Sequence, residues 1–189
     1  MNNTPNSNRI HIGFYGKRNA GKSSLLNAVA GQDISVVSDI KGTTTDPVRK
    51  AMELIPLGPV LFIDTAGIDD GGILGGKRVE KTLKMLQETD FAVYIMDAQD
   101  VCETTFHRMR SMFKTYNIPY MLVVNKMDTV PKAQMSKIKE TYEGAHFLSA
   151  KNKAHIVAFK KALIERVKIL DAQERTMTVS YTHLTLPTN

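Results

Sequence analysis

The chain has 189 residues, a net charge of +6 and 42% apolar residues, which is typical of one globular domain. Its single cysteine, Cys102, excludes an internal disulfide and a metal site built from several cysteines. No apolar stretch reaches the roughly 18–20 residues of a membrane span. The polar segment Met1–Asn8 lacks a signal-peptide core. We therefore expect a cytoplasmic protein with no membrane partner. Because no run of five or six basic residues occurs, the charge favours a solvated surface, and nucleic acid is not an expected partner.

Strands and helices are predicted to alternate along the chain. In order, the pattern predicts strand Arg9–Tyr15, helix Ser23–Ala30, a polar loop over 32–47, strands Val48–Ile55 and Val60–Asp64, a glycine-rich loop, helix Lys77–Thr89, strand Phe91–Met96, helix Thr104–Tyr116, strand Tyr120–Val124, helix Lys132–Tyr142, strand His146–Leu148 and a last helix ending near Leu170. This order predicts an α/β fold. We expect a mostly parallel six-stranded sheet, with helices on both faces and one antiparallel strand. The domain is predicted to span 9–170, after a flexible segment 1–8. The segment 171–189 is predicted to be a disordered or non-native tail.

The first strand-to-helix turn carries a phosphate-binding motif. Gly16–Ser23 fits the pattern G-x-x-x-x-G-K-[ST], in which a glycine-rich backbone aims several N–H groups at phosphate. The positive end of the following helix dipole adds to this site. Lys22 is expected to reach the β- and γ-phosphates, and the Ser23 hydroxyl to bind Mg²⁺. The remaining candidate phosphate contacts are Gly16, Asn19, Ala20, Gly21 and Ser24.

Two further segments are candidates for contact with the γ-phosphate. Asp64-Thr65-Ala66-Gly67 ends a buried strand, so Asp64 is a candidate ligand of Mg²⁺ and Gly67 a candidate N–H donor to the γ-phosphate. Thr44 follows Gly42 in the first long loop. Its hydroxyl is expected to bind Mg²⁺ and its N–H the γ-phosphate, only while that phosphate is present. We therefore expect this loop to act as a switch.

Two motifs predict recognition of guanine. In Asn125-Lys126-Met127-Asp128, the Asp128 carboxylate is expected to accept hydrogen bonds from guanine N1–H and the exocyclic amine, and adenine has neither donor in that arrangement. Asn125 is expected to hold neighbouring loops and to contact the base, and the Lys126 stem is expected to cover the base plane. In Ser149-Ala150-Lys151, the Ala150 N–H is a candidate donor to guanine O6. Together these motifs predict a site for GTP and GDP and against ATP.

These motifs resemble those of the translation-factor-related GTPases that include Era, Der and MnmE. The resemblance covers about Arg9 to Leu170 and implies a P-loop GTPase, an enzyme that converts GTP to GDP and phosphate. Within this group, 41–48, 52–60, 64–70 and 78–82 resemble the FeFe-hydrogenase maturation GTPases of the HydF family. That resemblance implies that the chain is the switch domain of a maturation scaffold. The longer protein would have hydrogenase maturation proteins and iron–sulfur proteins as partners, and the chain is also expected to form a dimer with itself. The cluster-binding cysteines of that family are missing here, so no iron–sulfur cluster is expected on this chain.

Hydrolysis is expected to be slow and stimulated by a cation. Ile68 stands where Ras-like proteins place a glutamine that orients water. Related GTPases use asparagine at the Asn19 position to hold K⁺, which offsets charge on the phosphates. The alternative is that Asn19 serves only the geometry of the turn. Two other functions also stay open: an RNA- or ribosome-associated GTPase, and an interaction module that binds GTP with negligible turnover.

Overall fold

The central sheet contains seven strands within the part of the chain described in a computed structural model, namely residues 9–31, 38–40, 48–65 and 76–182. The strands are β1 (Ile10–Tyr15), β2 (Ser38–Ile40), β3 (Val48–Leu54), β4 (Gly58–Asp64), β5 (Phe91–Asp97), β6 (Tyr120–Asn125) and β7 (His146–Phe147). Their order across the sheet is β2-β3-β4-β1-β5-β6-β7. The helices are α1 (Lys22–Ala30), α2 (Gly76–Gln87), α3 (Glu103–Thr115), α4 (Lys132–Thr141) and α5 (Lys153–Thr182). Thr44 and Gly67 lie outside the described residues.

The predicted α/β class and mostly parallel sheet are confirmed. β3 alone among the described strands runs against the others, because it pairs antiparallel with both β2 and β4. The sheet differs from the prediction by one additional strand, β2, which lies within the segment expected to be a loop. Three residues are too few to show the two-residue period by which a half-buried strand is recognised from sequence.

Helices cover both faces of the sheet. On one face, Leu25 and Val29 of α1 and Phe159 and Leu163 of α5 join the largest cluster of buried apolar side chains. On the other face, α2 and α3 supply Leu86, Phe106, Met109 and Phe113 to a second cluster. Side chains of β5 enter both clusters in alternation, which is why Phe91–Met96 is a continuous apolar run.

The last helix extends beyond the point where its apolar spacing stops. α5 continues to Thr182, so the predicted boundary between domain and tail at Leu170 falls inside a helix. No glycine or proline stands between Leu170 and Thr182, and therefore no residue there interrupts helical hydrogen bonding. In the described part of the chain, no helix has the length and apolarity needed to cross a bilayer.

The topology brings the predicted site residues to one edge of the sheet. β1, β4 and β6 are connected through parallel pairings, so their carboxyl ends lie on the same side. The phosphate motif follows β1, Asp64 ends β4 and Asn125 ends β6. Strand order reverses at β1, and this type of switch point is where open α/β sheets bind ligands.

Candidate nucleotide-binding site

The phosphate-binding turn has a backbone that only glycine accommodates at two positions. Gly16 has φ 141°, and a Cβ there would lie 2.1 Å from the carbonyl oxygen of Ile95. Gly21, at the N-terminal end of α1, has φ 95°, and a Cβ there would lie 2.2 Å from Nδ2 of Asn125. Both values of φ fall in the region that L side chains rarely adopt. The requirement for glycine thus comes from close packing against β5 and β6 as well as from the turn.

Asn19 also has a left-handed backbone conformation, with φ 63°. Asparagine tolerates this conformation better than most other residues do, so the geometry of the turn by itself accounts for an asparagine here. Its side chain is exposed. The structure is therefore compatible with both roles that the sequence left open for Asn19, a place in the turn and a K⁺ ligand.

Lys22 lies inside the turn and is only 5% exposed. Its ammonium group donates hydrogen bonds to the carbonyl oxygens of Gly16 and Lys17, the latter at 2.7 Å. A buried ammonium needs such oxygen partners, because the charge is costly to remove from water otherwise. These contacts hold the positive charge within the loop whose N–H groups are expected to bind phosphate.

Ser23 and Asp64 form a pair of oxygen donors at the start of α1 and the end of β4. The Ser23 hydroxyl donates to Oδ2 of Asp64 at 2.5 Å. Asp64 is 4% exposed, and its Oδ1 is buried without a hydrogen-bond partner among the described residues. A buried carboxylate oxygen that lacks a donor is destabilising unless a cation or water meets it. Hydroxyl and carboxylate oxygens are the ligands that Mg²⁺ prefers, so this pair fits the predicted metal.

Thr65 fixes the end of β4 against β1. It is fully buried, its hydroxyl donates to the carbonyl oxygen of Phe14, and its N–H donates to the same oxygen at 3.3 Å. Asp64 is the neighbouring residue, so these bonds limit how far its carboxylate can move. The residues that follow, including Gly67, are outside the part of the chain that the structure describes, and so is Thr44.

Asn125 connects three segments of the site. It is 1% exposed; its Nδ2 donates to the carbonyl oxygen of Ala20 at 3.0 Å, and its Oδ1 accepts from the Ala150 N–H at 3.0 Å. One amide thus joins the phosphate turn, β6 and the 149–151 loop. The Ala150 N–H, expected to donate to guanine O6, donates here to Asn125. A guanine carbonyl therefore has to share or replace that bond.

Asp128 carries the features expected of a base-reading carboxylate. A hydrogen bond from the Ser149 side chain is the main cause that lowers the pKa of Asp128, and the charges of Lys151 and His155 lower it further. The carboxylate is therefore ionised at neutral pH and can only accept hydrogen bonds. This property suits the two neighbouring donors of guanine.

The neighbouring lysines differ in their partners. Lys126, with φ 60°, pairs through its ammonium with Oδ2 of Asp97 at 2.6 Å. Lys151 is exposed, and its N–H contacts the Ser149 hydroxyl at 3.4 Å. Ser24 is exposed in the first turn of α1.

Sequence reasoning missed several residues that support the site. Asp97 ends the buried strand β5 and holds Lys126, while Asp100 pairs with Lys17 of the phosphate turn at 2.5 Å. Asp97 gave the same signal as Asp64, a carboxylate at the end of an apolar run. His155 accepts a hydrogen bond from the Ser149 N–H at 3.1 Å. No sequence motif predicts that contact.

A family model described as 50S ribosome-binding GTPase matches residues 11–126. GTPase Der of Wolinella succinogenes is 34% identical over 167 residues, which cover 82% of this chain and 35% of that protein. The tRNA modification GTPase MnmE of Mesoplasma florum is 36% identical over 149 residues, which cover 78% of this chain and 32% of that protein. The chain thus spans about a third of the length of these relatives.

Solved structures are similar as well. A variant of Aquifex aeolicus Era bound to GDP and AlF₄⁻ matches with a TM-score of 0.60 and 26% identity, covering 82% of this chain and 56% of that one. Translation elongation factor SelB of Methanococcus maripaludis, with a GTP analogue, matches with a TM-score of 0.66. At 16% identity over 85% of this chain and 34% of that one, the SelB match shows the fold alone.

Proposed function

This chain belongs to the P-loop GTPase family described as 50S ribosome-binding GTPase, and we propose that it is the switch domain of a larger protein, in which it binds GTP and hydrolyses it to GDP and phosphate. The observation that supports this most is the Asn125 bridge between Ala20 and Ala150. It couples the segment suited to phosphate with the segment suited to guanine.

At the phosphate end, the chain's own groups supply positive charge and fixed donors. The buried Lys22 ammonium lies among the carbonyl oxygens of the turn and meets the β- and γ-phosphates when GTP binds. The N–H groups at the start of α1 point to the same place. Charge builds up on phosphate oxygens in the transition state, so these groups stabilise it without reorganising.

Ser23 and Asp64 are the residues that hold Mg²⁺ in this proposal. The orphan Oδ1 of Asp64 and the nearby Ser23 hydroxyl support the assignment. When bound, Mg²⁺ neutralises charge on the β- and γ-phosphates. Thr44 and Gly67 remain candidates for the γ-phosphate from sequence. Asn19 is the proposed K⁺ ligand, and its exposed position at the turn is compatible with that role.

The catalytic proposal is tested by single-turnover GTP hydrolysis. Lys22→Ala is expected to slow hydrolysis on the order of a hundredfold or more, because it removes one preorganised charge from the phosphates. Ser23→Ala is expected to shift activity to higher Mg²⁺ concentration. The matched control is Lys114→Ala, an exposed lysine on α3. Normal turnover by Lys22→Ala contradicts the assignment. Slow hydrolysis by every form, with tight GTP binding, favours an interaction module.

The finer proposal is a switch domain of an FeFe-hydrogenase maturation scaffold, with hydrogenase maturation and iron–sulfur proteins as partners. It rests on the likeness of 41–48, 52–60, 64–70 and 78–82 to that family. The test is complementation. The natural protein that carries this domain should restore hydrogenase activity to cells that lack their maturation GTPase, and its Lys22→Ala variant should not. Failure of the unaltered protein to complement removes this role and leaves the GTPase intact.

A ribosome- or RNA-associated role is the second candidate. The matching family model is described as ribosome-binding, and a related Era structure contains nucleotides of 16S ribosomal RNA. Sedimentation of the natural protein with purified 50S subunits is the discriminating assay. Cosedimentation with a GTP analogue and not with GDP favours this role over hydrogenase maturation.

A further inference from the structure

We infer that His155 is a positioning residue for guanine recognition, acting through Ser149 on the loop that faces the base. The inference rests on the proposed nucleotide site and adds a residue to it. Ser149 is 4% exposed, and its backbone N–H donates to Nδ1 of His155 at 3.1 Å. The Ser149 side chain in turn hydrogen-bonds Asp128. The order of contacts is therefore His155 to Ser149, and Ser149 to the carboxylate that accepts the guanine donors.

The position of His155 follows from how α5 begins. Asn152 caps the helix, since its Oδ1 accepts the N–H groups of Ala154 at 2.9 Å and His155 at 3.4 Å. His155 consequently stands in the first turn. Side chains on a helix lean toward its N-terminus, which directs the imidazole back over the loop that precedes α5. The ring thereby reaches Ser149, six positions earlier in the chain.

This contact also fixes which form of His155 supports the loop. A backbone N–H can only donate, so Nδ1 must accept and the ring proton must be on Nε2. A doubly protonated ring has no acceptor, and its Nδ1–H would then face the backbone N–H of Ser149. The Ser149 N–H is then left without a partner in a buried position, which destabilises the loop.

Two titratable groups lie near His155. Its charge is one of the causes that lower the pKa of Asp128, although the hydrogen bond from the Ser149 side chain is the largest. It also lowers the pKa of His146 of β7, where burial is the larger cause. His155 therefore lies close to the carboxylate proposed to bind guanine.

The test compares two substitutions in GDP binding, with His107→Ala, an exposed histidine on α3, as the matched control. His155→Ala is expected to weaken GDP binding about five- to tenfold, the effect of one hydrogen bond. His155→Asn should stay near the wild-type affinity, because its Oδ1, bonded to Cγ as Nδ1 is, can accept the same bond. The single-turnover rate at saturating GTP should be unchanged in both variants, because His155 supports the base end of the site.

The split between binding and turnover supplies a readout that a merely structural role would not change. A general loss of structure should lower both the GDP affinity and the single-turnover rate at saturating GTP, whereas loss of the bond between Ser149 and His155 should lower only the affinity.

Three results overturn the inference: unchanged GDP affinity in His155→Ala, equal losses in His155→Ala and His155→Asn, or a single-turnover rate in His155→Ala that falls as far as its GDP affinity. If His155→Ala does not fold, a loss of GDP affinity in His155→Asn still overturns the inference. A wild-type chain that binds no GDP, or binds ADP equally, instead contradicts the proposed nucleotide site itself.

Discussion

Asn125→Ala should both destabilise the domain and weaken nucleotide binding. The substitution leaves two backbone groups without partners: the carbonyl oxygen of the buried Ala20 and the N–H of the half-buried Ala150. Each unpartnered buried group costs about 1–3 kcal/mol. Since water can reach Ala150 more readily, we take the low end for it and expect a total loss of about 2–4 kcal/mol. For a domain of this size, that lowers Tm by about 4–16 °C.

The assay is thermal unfolding of the nucleotide-free protein, followed by titration with GDP. Because Asn125 also holds the phosphate turn and the 149–151 loop together, GDP affinity should fall at least about tenfold. Asn27→Ala is the matched control. Asn27 is exposed on α1 and accepts one hydrogen bond from Lys50, so its loss should leave Tm near that of the parent. An Asn125→Ala protein with the parent's Tm and GDP affinity would refute the bridging role.

Further predictions concern backbone strain, thiol chemistry and cation dependence. Gly21→Ala should lower Tm more than Gly144→Ala: both have positive φ, which costs about 1–2 kcal/mol, but only at Gly21 would the new Cβ collide with Asn125. Equal losses in Tm would show that collision to be harmless. The hydroxyls of Thr104 and then Thr105 lower the pKa of Cys102 to about 7, so the thiolate forms above that pH, and alkylation by iodoacetamide should show a midpoint there. A midpoint near the ordinary value of about 8.5 counts against these contacts, and Thr104→Val should move the midpoint toward that value. K⁺ should accelerate GTP hydrolysis at least about tenfold over Na⁺ at constant ionic strength, and Asn19→Ala should abolish the difference. A rate indifferent to the cation removes K⁺ from the account, and stimulation retained by Asn19→Ala reassigns only its ligand.

Residues at strand ends were the easiest to assign from sequence. Asp64 and Asn125 each stand at the end of a buried apolar run. Parallel strands have their carboxyl ends at the same edge of the sheet, so this local pattern was enough to predict that the two residues lie at one edge. Asp97 gave the same signal at the end of β5. The predicted strand stopped one residue short of it, and its pairing with Lys126 depends on a turn conformation that sequence does not reveal.

Contacts that depend on three-dimensional direction were not predictable. The bond from Ser149 to His155 requires the α5 start to be set by Asn152 and the imidazole to lean backward. A spacing of six residues carries no such information. Similarly, β2 forms because Ser38–Ile40 meets the edge of β3, which is a tertiary event. The apolar spacing of α5 stops near Leu170, but the helix continues to Thr182. The residues in between include no glycine or proline, so helical backbone hydrogen bonding can continue without an apolar face.

The most direct test of the central claim is calorimetric titration of the chain with GDP and ADP, together with Asp128→Asn. In our proposal the Asp128 carboxylate, which is hydrogen-bonded by Ser149 and has a lowered pKa, accepts hydrogen bonds from two neighbouring guanine donors that adenine does not offer in that arrangement. We therefore expect GDP to bind at least about a thousandfold more tightly than ADP, since a site built around such bonds rejects a ligand without them. Asp128→Asn should shift preference toward xanthosine diphosphate, whose added carbonyl needs a donor. Equal binding of GDP and ADP by the unaltered chain would contradict the assignment of a guanine nucleotide site.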